Sequence, residues 1–151
     1  MTENASGALP ATGTLMQGKR GLIMGVANNR SIAWGIAKTC HDHGAKLAFT
    51  YQGEALEKRL RPLAQSIGSD IVGPCDVTDP KSIDATFAAI QKEWGELDFL
   101  VHSLAYSDKS ELKGLYADTS RENFIRTMLI SCFSFTEAAH RAATMMKKGG
   151  S

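Results

Sequence analysis

The sequence has few of the features that mark secreted, membrane-embedded or nucleic-acid-binding proteins. Its three cysteines, Cys40, Cys75 and Cys132, are widely spaced and include no CxxC pair, so we expect a reducing cytoplasm rather than a disulfide framework. Seventeen basic side chains against sixteen acidic ones leave a net charge of +1, which gives no electrostatic reason to expect nucleic acid or an anionic membrane as a partner. No run approaches the roughly eighteen apolar residues that a membrane span needs. Residues 1–18 hold neither the basic residues nor the apolar run of a signal peptide.

Length and composition are those of one globular domain. Apolar residues make up 43% and charged residues 22% of the 151 positions, a balance typical of folded proteins. This length suffices for one hydrophobic core and not for two. Residues 1–18 are small, polar and turn-prone, so we predict a flexible tail there and one folded domain over 19–151.

Four short apolar runs alternate with four helical periods along the rest of the chain. We predict strands at 21–25, 46–51, 70–75 and 97–103, and helices at 31–43, 54–67, 80–94 and about 119–148. Repeated strand–helix alternation implies right-handed crossovers and a parallel sheet. The predicted fold class is therefore α/β, a doubly wound parallel (Rossmann) sheet whose first four strands run in the order 3-2-1-4.

Local signals define several helix ends and faces. In the first helix, Ile32, Ile36 and Cys40 recur at four-residue spacing, and Gly35 is expected to let the helix pack closely against the sheet. Asp79 followed by proline is an N-cap signal for the third helix. Thr119 with Glu122 has the spacing of a capping box for the last helix.

The first strand ends in a motif suited to a phosphate. Gly25 permits a tight turn, and the amides at the start of the next helix favour an anion. The Ser31 hydroxyl is placed to cap that helix, to donate to a phosphate, or both. The second glycine of a GxGxxG fingerprint is absent, so an ordinary capped turn remains the alternative interpretation.

The second and third strands end in residues suited to an adenosine. Gln52 lies 27 residues beyond Gly25, near the position that reads the adenosine ribose, and its amide can bond a hydroxyl. No arginine adjoins it for a 2′-phosphate and Glu54 would repel one, which favours NAD(H) over NADP(H). Asp76 suits the adenine amine and Val77 its ring. A solvated loop glutamine and a turn-forming aspartate remain the alternative interpretations.

Two histidine-containing segments are interpreted as structural. His102 ends the fourth strand beside an apolar run, where a packed, hydrogen-bonded histidine is favoured over a general base. Cys40, His41 and His43 do not share one helical face, so no metal site is expected.

The strand-end motifs, taken together, resemble those of bacterial NADH-dependent enoyl-acyl-carrier-protein reductases, in the divergent branch of the short-chain dehydrogenase/reductases. The resemblance covers about residues 15–151. It rests on these segments, in order and in register: Gly25-Val-Ala with Ser31-Ile-Ala-Trp-Gly-Ile-Ala, Phe49-Thr-Tyr-Gln, Gly68-Ser-Asp-Ile-Val, Cys75-Asp-Val and Val101-His-Ser-Leu.

The resemblance implies a set of ligand contacts and an assembly. It places the dinucleotide contacts at Gly25, Ser31, Ile32, Gln52, Asp76, Val77 and Leu104. It places Ser107 against the acyl substrate, where Ala105 and Tyr106 depart from a Gly-Phe pair of some members. It further implies hydride transfer from NADH to the β-carbon of a trans-2-enoyl thioester carried by acyl carrier protein, in fatty acid biosynthesis, by a cytoplasmic homotetramer.

The family's catalytic pair is a tyrosine with a lysine seven positions later, following a fifth strand that the sequence does not reach. We therefore expect no catalytic residue within these 151 residues, and weak cofactor binding without useful catalysis.

Two other functions remain open on the sequence. One is a non-catalytic module that binds a dinucleotide. The other is a different short-chain reductase, such as a 3-oxoacyl reductase, against which the segment His102-Ser-Leu-Ala speaks, because those enzymes commonly carry Asn-Asn-Ala-Gly there.

Overall fold

A computed structural model describes residues 13–69 and 71–151, and its centre is a four-stranded parallel sheet. The strands are β1 (Arg20–Met24), β2 (Lys46–Tyr51), β3 (Val72–Pro74) and β4 (Phe99–His102). The helices are α1 (Ile32–Asp42), α2 (Glu54–Ser66), α3 (Pro80–Trp94), α4 (Arg121–Met128) and α5 (Ser134–Met145), with a π-helical turn at Leu129–Phe133 and 3₁₀ turns at Lys109–Glu111 and Tyr116–Asp118. No helix in the described part of the chain is long and apolar enough to cross a membrane.

The strand order is β3-β2-β1-β4 with every pair parallel, which confirms the predicted fold class and order. At the end of β1, Met24 lies beside both Thr50 and His102, so the carboxyl ends of the strands meet at one edge. On the other side of β4, the backbone of Ser151 makes two hydrogen bonds. Its amide donates to the Asp98 carbonyl, and its carbonyl accepts from the Leu100 amide, which is the bonding pattern of a parallel bridge.

Alternate residues of the central strand contribute to two cores, one on each face of the sheet. Leu22 and Met24 pack with buried residues of α3 and α5, among them Ile83 and Ala142. Ile23 faces the other side, with side chains from α1 and α2. Both sheet faces are therefore covered, as a doubly wound sheet requires.

Helix α1 forms where predicted but turns a different face to the sheet. Ile32 and Ile36 are 78% and 37% exposed, whereas Ala33, Trp34 and Ala37 are buried. The small alanines allow close approach, and the Trp34 ring lies 6.3 Å from that of Phe49 in β2. The expectation that Gly35 packs against the sheet is wrong, because a Cβ there would meet no atom within 4 Å.

Helix α3 confirms its sequence signals. Asp79 accepts a hydrogen bond from the Lys81 amide at 3.0 Å, and Pro80 occupies the first helical position. Gly95 ends the helix with φ of +72°, a conformation that only glycine adopts without cost.

The last predicted helix differs at its start and in its middle. Ser120 rather than Thr119 is the N-cap and accepts from the Asn123 amide at 3.1 Å. The Ser120 hydroxyl donates to Glu111 at 2.7 Å, so Glu111, outside the helix, replaces Glu122 as its partner. The π-helical turn then divides the segment into α4 and α5.

The predicted tail falls partly outside the described residues, which begin at residue 13. Residues 14–18 form a turn bonded to the loop after α1, and the predicted flexibility of the tail stays a prediction. The Met16 amide donates to the His43 carbonyl at 2.9 Å, and the Gly18 amide donates to that of Gly44 at 3.3 Å. Asp70, placed in the third strand by the sequence, also lies outside the described residues.

Candidate functional site

A cleft of about 290 Å³ opens at the carboxyl ends of the strands. The loops after all four strands line it, together with Ile130 of the π-helical turn. Of the predicted dinucleotide contacts, Gly25, Gln52, Asp76, Val77 and Leu104 lie in this lining. The structure thus brings together residues that are up to 79 positions apart in the sequence.

Gly25 is required for the close approach of the β1 and β4 ends. Its φ is +104°, and a Cβ at this position would lie 2.0 Å from the Ser103 carbonyl oxygen. The Ser103 amide in turn donates to the Met24 carbonyl at 3.0 Å. Any side chain at position 25 would push these two loops apart at the floor of the cleft.

Ser31 and Ile32 stand at the start of α1, outside the cleft lining. The Ser31 oxygen does not cap the helix; it accepts from the Ala27 and Asn28 amides at 3.0 and 3.1 Å. Because these two bonds occupy its lone pairs, the hydroxyl hydrogen is left to donate elsewhere. Among the described residues, the Ile32 and Ala33 amides have no acceptor, as is usual in a first helical turn. These groups together suit an anion.

Asp76 links the ends of β2 and β3. One carboxylate oxygen accepts from the Thr78 amide at 2.8 Å and from the Thr78 hydroxyl at 2.7 Å. The other accepts from the Gln52 side-chain amide at 3.2 Å. These hydrogen bonds hold the pKa of Asp76 below its usual value, with Thr78 the main cause. Asp76 is therefore both a turn-forming residue and a charged wall of the cleft.

The loop after β4 is anchored to the π-helical turn. The Tyr106 amide donates to the Ser131 hydroxyl at 3.0 Å, and Ile130 of the same turn lines the cleft. Ser107 lies outside the lining, and its hydroxyl accepts from the buried Asn123 side chain at 3.1 Å. Its predicted contact with an acyl group stays a prediction.

His102 is a packed, hydrogen-bonded histidine, as the sequence favoured. Its Nε2 lies 2.7 Å from the Ser134 hydroxyl oxygen. That hydroxyl itself donates to the Ile130 carbonyl at 2.7 Å, so Nε2 carries the proton and donates. Burial lowers the pKa of His102, which keeps the ring neutral and structural.

Two tyrosines of the cleft precede a lysine by seven positions, namely Tyr51 before Lys58 and Tyr106 before Lys113. The geometry gives neither pair a joint role. The Lys58 ammonium pairs with Glu54 at 2.6 Å, and the Tyr106 hydroxyl donates to Asp108 at 2.6 Å. The expectation that these residues hold no catalytic pair stays a prediction.

The sequence analysis did not predict several residues of the cleft. Thr78 could have been predicted, since a hydroxyl residue two positions after an aspartate is a common signal for a side-chain turn. Thr50, Leu56 and Ile130 also line the cleft. Their positions in a strand and in helical segments look like ordinary core positions in the sequence, so they gave no sign of a binding site. In the described part of the chain, no three metal-binding side chains form a cluster.

Comparison with known proteins identifies the family. The family model described as "Enoyl-(Acyl carrier protein) reductase" matches residues 25–151. Enoyl-[acyl-carrier-protein] reductase [NADH] 2 of Rhizobium meliloti is 66% identical over 136 residues, covering 90% of this chain and 51% of the relative. The chain thus spans about half the length of the curated relatives it matches.

Solved structures agree with this result. FabI from Candidatus Liberibacter asiaticus is 60% identical with a TM-score of 0.86, over 89% of this chain and 52% of that one. The reductase from Anaplasma phagocytophilum, in complex with NAD, is 53% identical with a TM-score of 0.88, over 92% and 54%. That from Bacillus cereus, solved with NADP+, is 46% identical with a TM-score of 0.85, over 87% and 52%.

Proposed function

Because the chain belongs to the enoyl-(acyl carrier protein) reductase family, as its strand-end motifs predicted, we propose that it forms the dinucleotide-binding part of an NADH-dependent enoyl-acyl-carrier-protein reductase. The substrate would be a trans-2-enoyl thioester on acyl carrier protein, in fatty acid biosynthesis. The observation that carries the proposal is the single cleft that unites the ends of all four strands.

The residues of the cleft fit the parts of NADH. The bare backbone at Gly25 keeps the ends of β1 and β4 in close contact at the floor of the cleft, and the free α1 amides with the Ser31 hydroxyl suit the pyrophosphate. Gln52 would hydrogen-bond a hydroxyl of the adenosine ribose, while Asp76 would accept from the adenine amine and Val77 would pack against the adenine ring. Bound NADH would supply the hydride, and Leu104 with its small neighbour Ala105 would leave space for the nicotinamide half.

The charges near Gln52 favour NADH over NADPH. Glu54 stands two residues away with a side chain 77% exposed, and Asp76 adds a second negative charge. Arg61 lies over the Tyr51 ring, 6.0 Å from its centroid, but its guanidinium already bonds Glu57 at 2.7 Å. A 2′-phosphate at this point would therefore meet two carboxylates, and the two nearby cations, Lys58 and Arg61, already pair with Glu54 and Glu57.

An apolar face supports self-association into the proposed homotetramer. Phe124, Met128, Phe133 and Phe135 lie along α4, the π-helical turn and α5, and each is 44–52% exposed. A run of half-exposed large apolar side chains is typical of an interface. Sedimentation velocity would test the assembly, since a monomer at all concentrations would contradict it.

The three cysteines are free thiols. Free thiols are typical of a reducing compartment, which supports a cytoplasmic location for the protein.

Two measurements test the function. NADH titrated into the chain and followed by its fluorescence should saturate, and Gly25→Ala should weaken the binding by about tenfold or more. For the reaction, loss of NADH absorbance is followed in the protein that contains this chain. We expect oxidation with a trans-2-enoyl thioester and not with a 3-oxoacyl thioester. Activity with only the latter would assign a different reductase, and NADH binding without turnover of either would assign a binding module.

A further inference from the structure

The choice between NADH and NADPH is not settled by family membership. Two solved relatives of this chain, 53% and 46% identical to it, hold NAD and NADP+ respectively. The two nucleotides differ by one phosphate on the adenosine ribose. The groups that select between them must therefore lie where Gln52 and Asp76 stand, if the proposed function is correct.

Asp76 is fixed in place by groups on its own loop and on α3. Its backbone amide donates to the Ser82 hydroxyl at 2.9 Å. Its Oδ1 accepts both Thr78 donors, the amide at 2.8 Å and the hydroxyl at 2.7 Å. With Oδ1 occupied in this way, Oδ2 is the oxygen that faces the Gln52 amide, at 3.2 Å.

This arrangement dictates which way round the Gln52 amide sits. An ionised carboxylate can only accept hydrogen bonds, and the hydrogen bonds from Thr78 and Gln52 lower the pKa of Asp76. The NH₂ group of Gln52 must therefore face Asp76. The carbonyl oxygen Oε1 is on the opposite side of the planar amide and has no donor among the described residues. Gln52 thus offers the cleft an acceptor.

An acceptor at this point discriminates between the two nucleotides. A ribose hydroxyl donates to Oε1, whereas a phosphate carries only acceptors and negative charge near neutral pH. We propose that Thr78 is a positioning residue for cofactor selection. By holding Asp76, it fixes the Gln52 amide in the orientation that accepts from the NADH ribose and repels the 2′-phosphate of NADPH.

The test compares dissociation constants for NADH and NADPH in threonine variants. In Thr78→Val the hydroxyl bond to Asp76 is lost, so we expect the ratio Kd(NADPH)/Kd(NADH) to fall by about three- to tenfold. Thr78→Ser keeps the hydroxyl and should restore the ratio. Thr144→Val is the matched control, because the Thr144 hydroxyl bonds the Arg141 carbonyl on α5, away from the cleft.

A second variant reverses the amide and protects the test against a misfolded Thr78→Val. In Asp76→Asn, the two Thr78 donors should hold the new carbonyl oxygen at the Oδ1 position and turn the new NH₂ group toward Gln52. Gln52 must then flip and present its own NH₂ group to the cleft. We expect the ratio Kd(NADPH)/Kd(NADH) to fall, whereas loss of the Asp76 contact with the adenine amine, which both nucleotides share, would weaken both by one factor.

The outcomes separate this inference from the proposed function. If the unmodified chain does not bind NADH, the proposed function and the inference both fail. If it binds NADH and Thr78→Val changes both dissociation constants by one factor, Thr78 is merely structural and the inference alone is overturned. An unchanged ratio Kd(NADPH)/Kd(NADH) in Asp76→Asn overturns it as well.

Discussion

Gly25→Ala should be among the most disruptive single substitutions in the chain. The residue has φ of +104°, and an added Cβ would lie 2.0 Å from the Ser103 carbonyl oxygen. Holding a non-glycine residue in so rare a conformation costs about 1–3 kcal/mol, and inserting a methyl group into a filled space costs about 1–3 kcal/mol more. The obstructing atom belongs to the backbone, so no rotamer change relieves the contact. We expect a loss of about 2–6 kcal/mol in the free energy of unfolding.

The assay is urea unfolding followed by far-ultraviolet circular dichroism, with Gly35→Ala as the matched control. Gly35 lies inside α1, and a Cβ there meets nothing within 4 Å. Replacing a helical glycine by alanine stabilises a helix by about 0.5–1 kcal/mol. The same chemical change should therefore have opposite signs at two positions ten residues apart.

The stability change of either variant can refute the reasoning about its position. A Gly25→Ala midpoint within about 0.5 kcal/mol of the unmodified protein, at an unchanged denaturant slope, would mean that the β1 and β4 ends are not in close contact. A destabilised Gly35→Ala protein would mean that α1 packs through Gly35 after all. That result would reinstate the face of α1 that the sequence favoured.

Three further predictions concern the core, a helix cap and a buried histidine. Leu60→Ala should cost about 2–5 kcal/mol in urea unfolding, because Leu60 is fully buried between α2 and the sheet; a cost below about 1 kcal/mol would contradict that packing. Asp79→Ala should cost about 1 kcal/mol and Asp79→Ser much less, since only the first loses the cap bond to the Lys81 amide; equal melting temperatures for the two would refute the cap. Burial lowers the pKa of His102 from its usual 6.5, so the unfolded chain gains a proton first, and stability should fall as the pH drops below about 6.5. His102→Gln keeps a donor for Ser134 and should flatten the unfolding free energy between about pH 7 and 5; an equal slope in both proteins would assign the pH dependence elsewhere.

The sheet and its order were predictable because their signals are local and repeated. Each apolar run is short, each is followed by a helical period, and parallel strands joined by right-handed crossovers leave few possible topologies. The β2 prediction matched the observed bounds, Lys46–Tyr51, and the signals at Asp79 and Gly95 defined both ends of α3. A cap needs only its neighbours along the chain, so it is visible in the sequence.

The details that the sequence missed depend on contacts between distant segments. The buried face of α1 is set by Ala33 and Ala37, because small side chains let the helix lie close to the sheet; hydrophobicity alone favoured Ile32 and Ile36. Ser120 displaces Thr119 as N-cap because Glu111 accepts both its hydroxyl and its amide. No spacing rule within the last helix could reveal that partner.

In the cleft, too, one property follows from the order of the strands and another from contacts between side chains. The location of the cleft follows from strand order alone, because parallel strands present all their carboxyl ends at one edge. Which nucleotide the cleft prefers depends instead on a few side-chain hydrogen bonds, such as those from Thr78 and Gln52 to Asp76. These bonds lie in exposed loops and contribute little to the core, so substitutions there can alter cofactor choice and leave the fold unchanged.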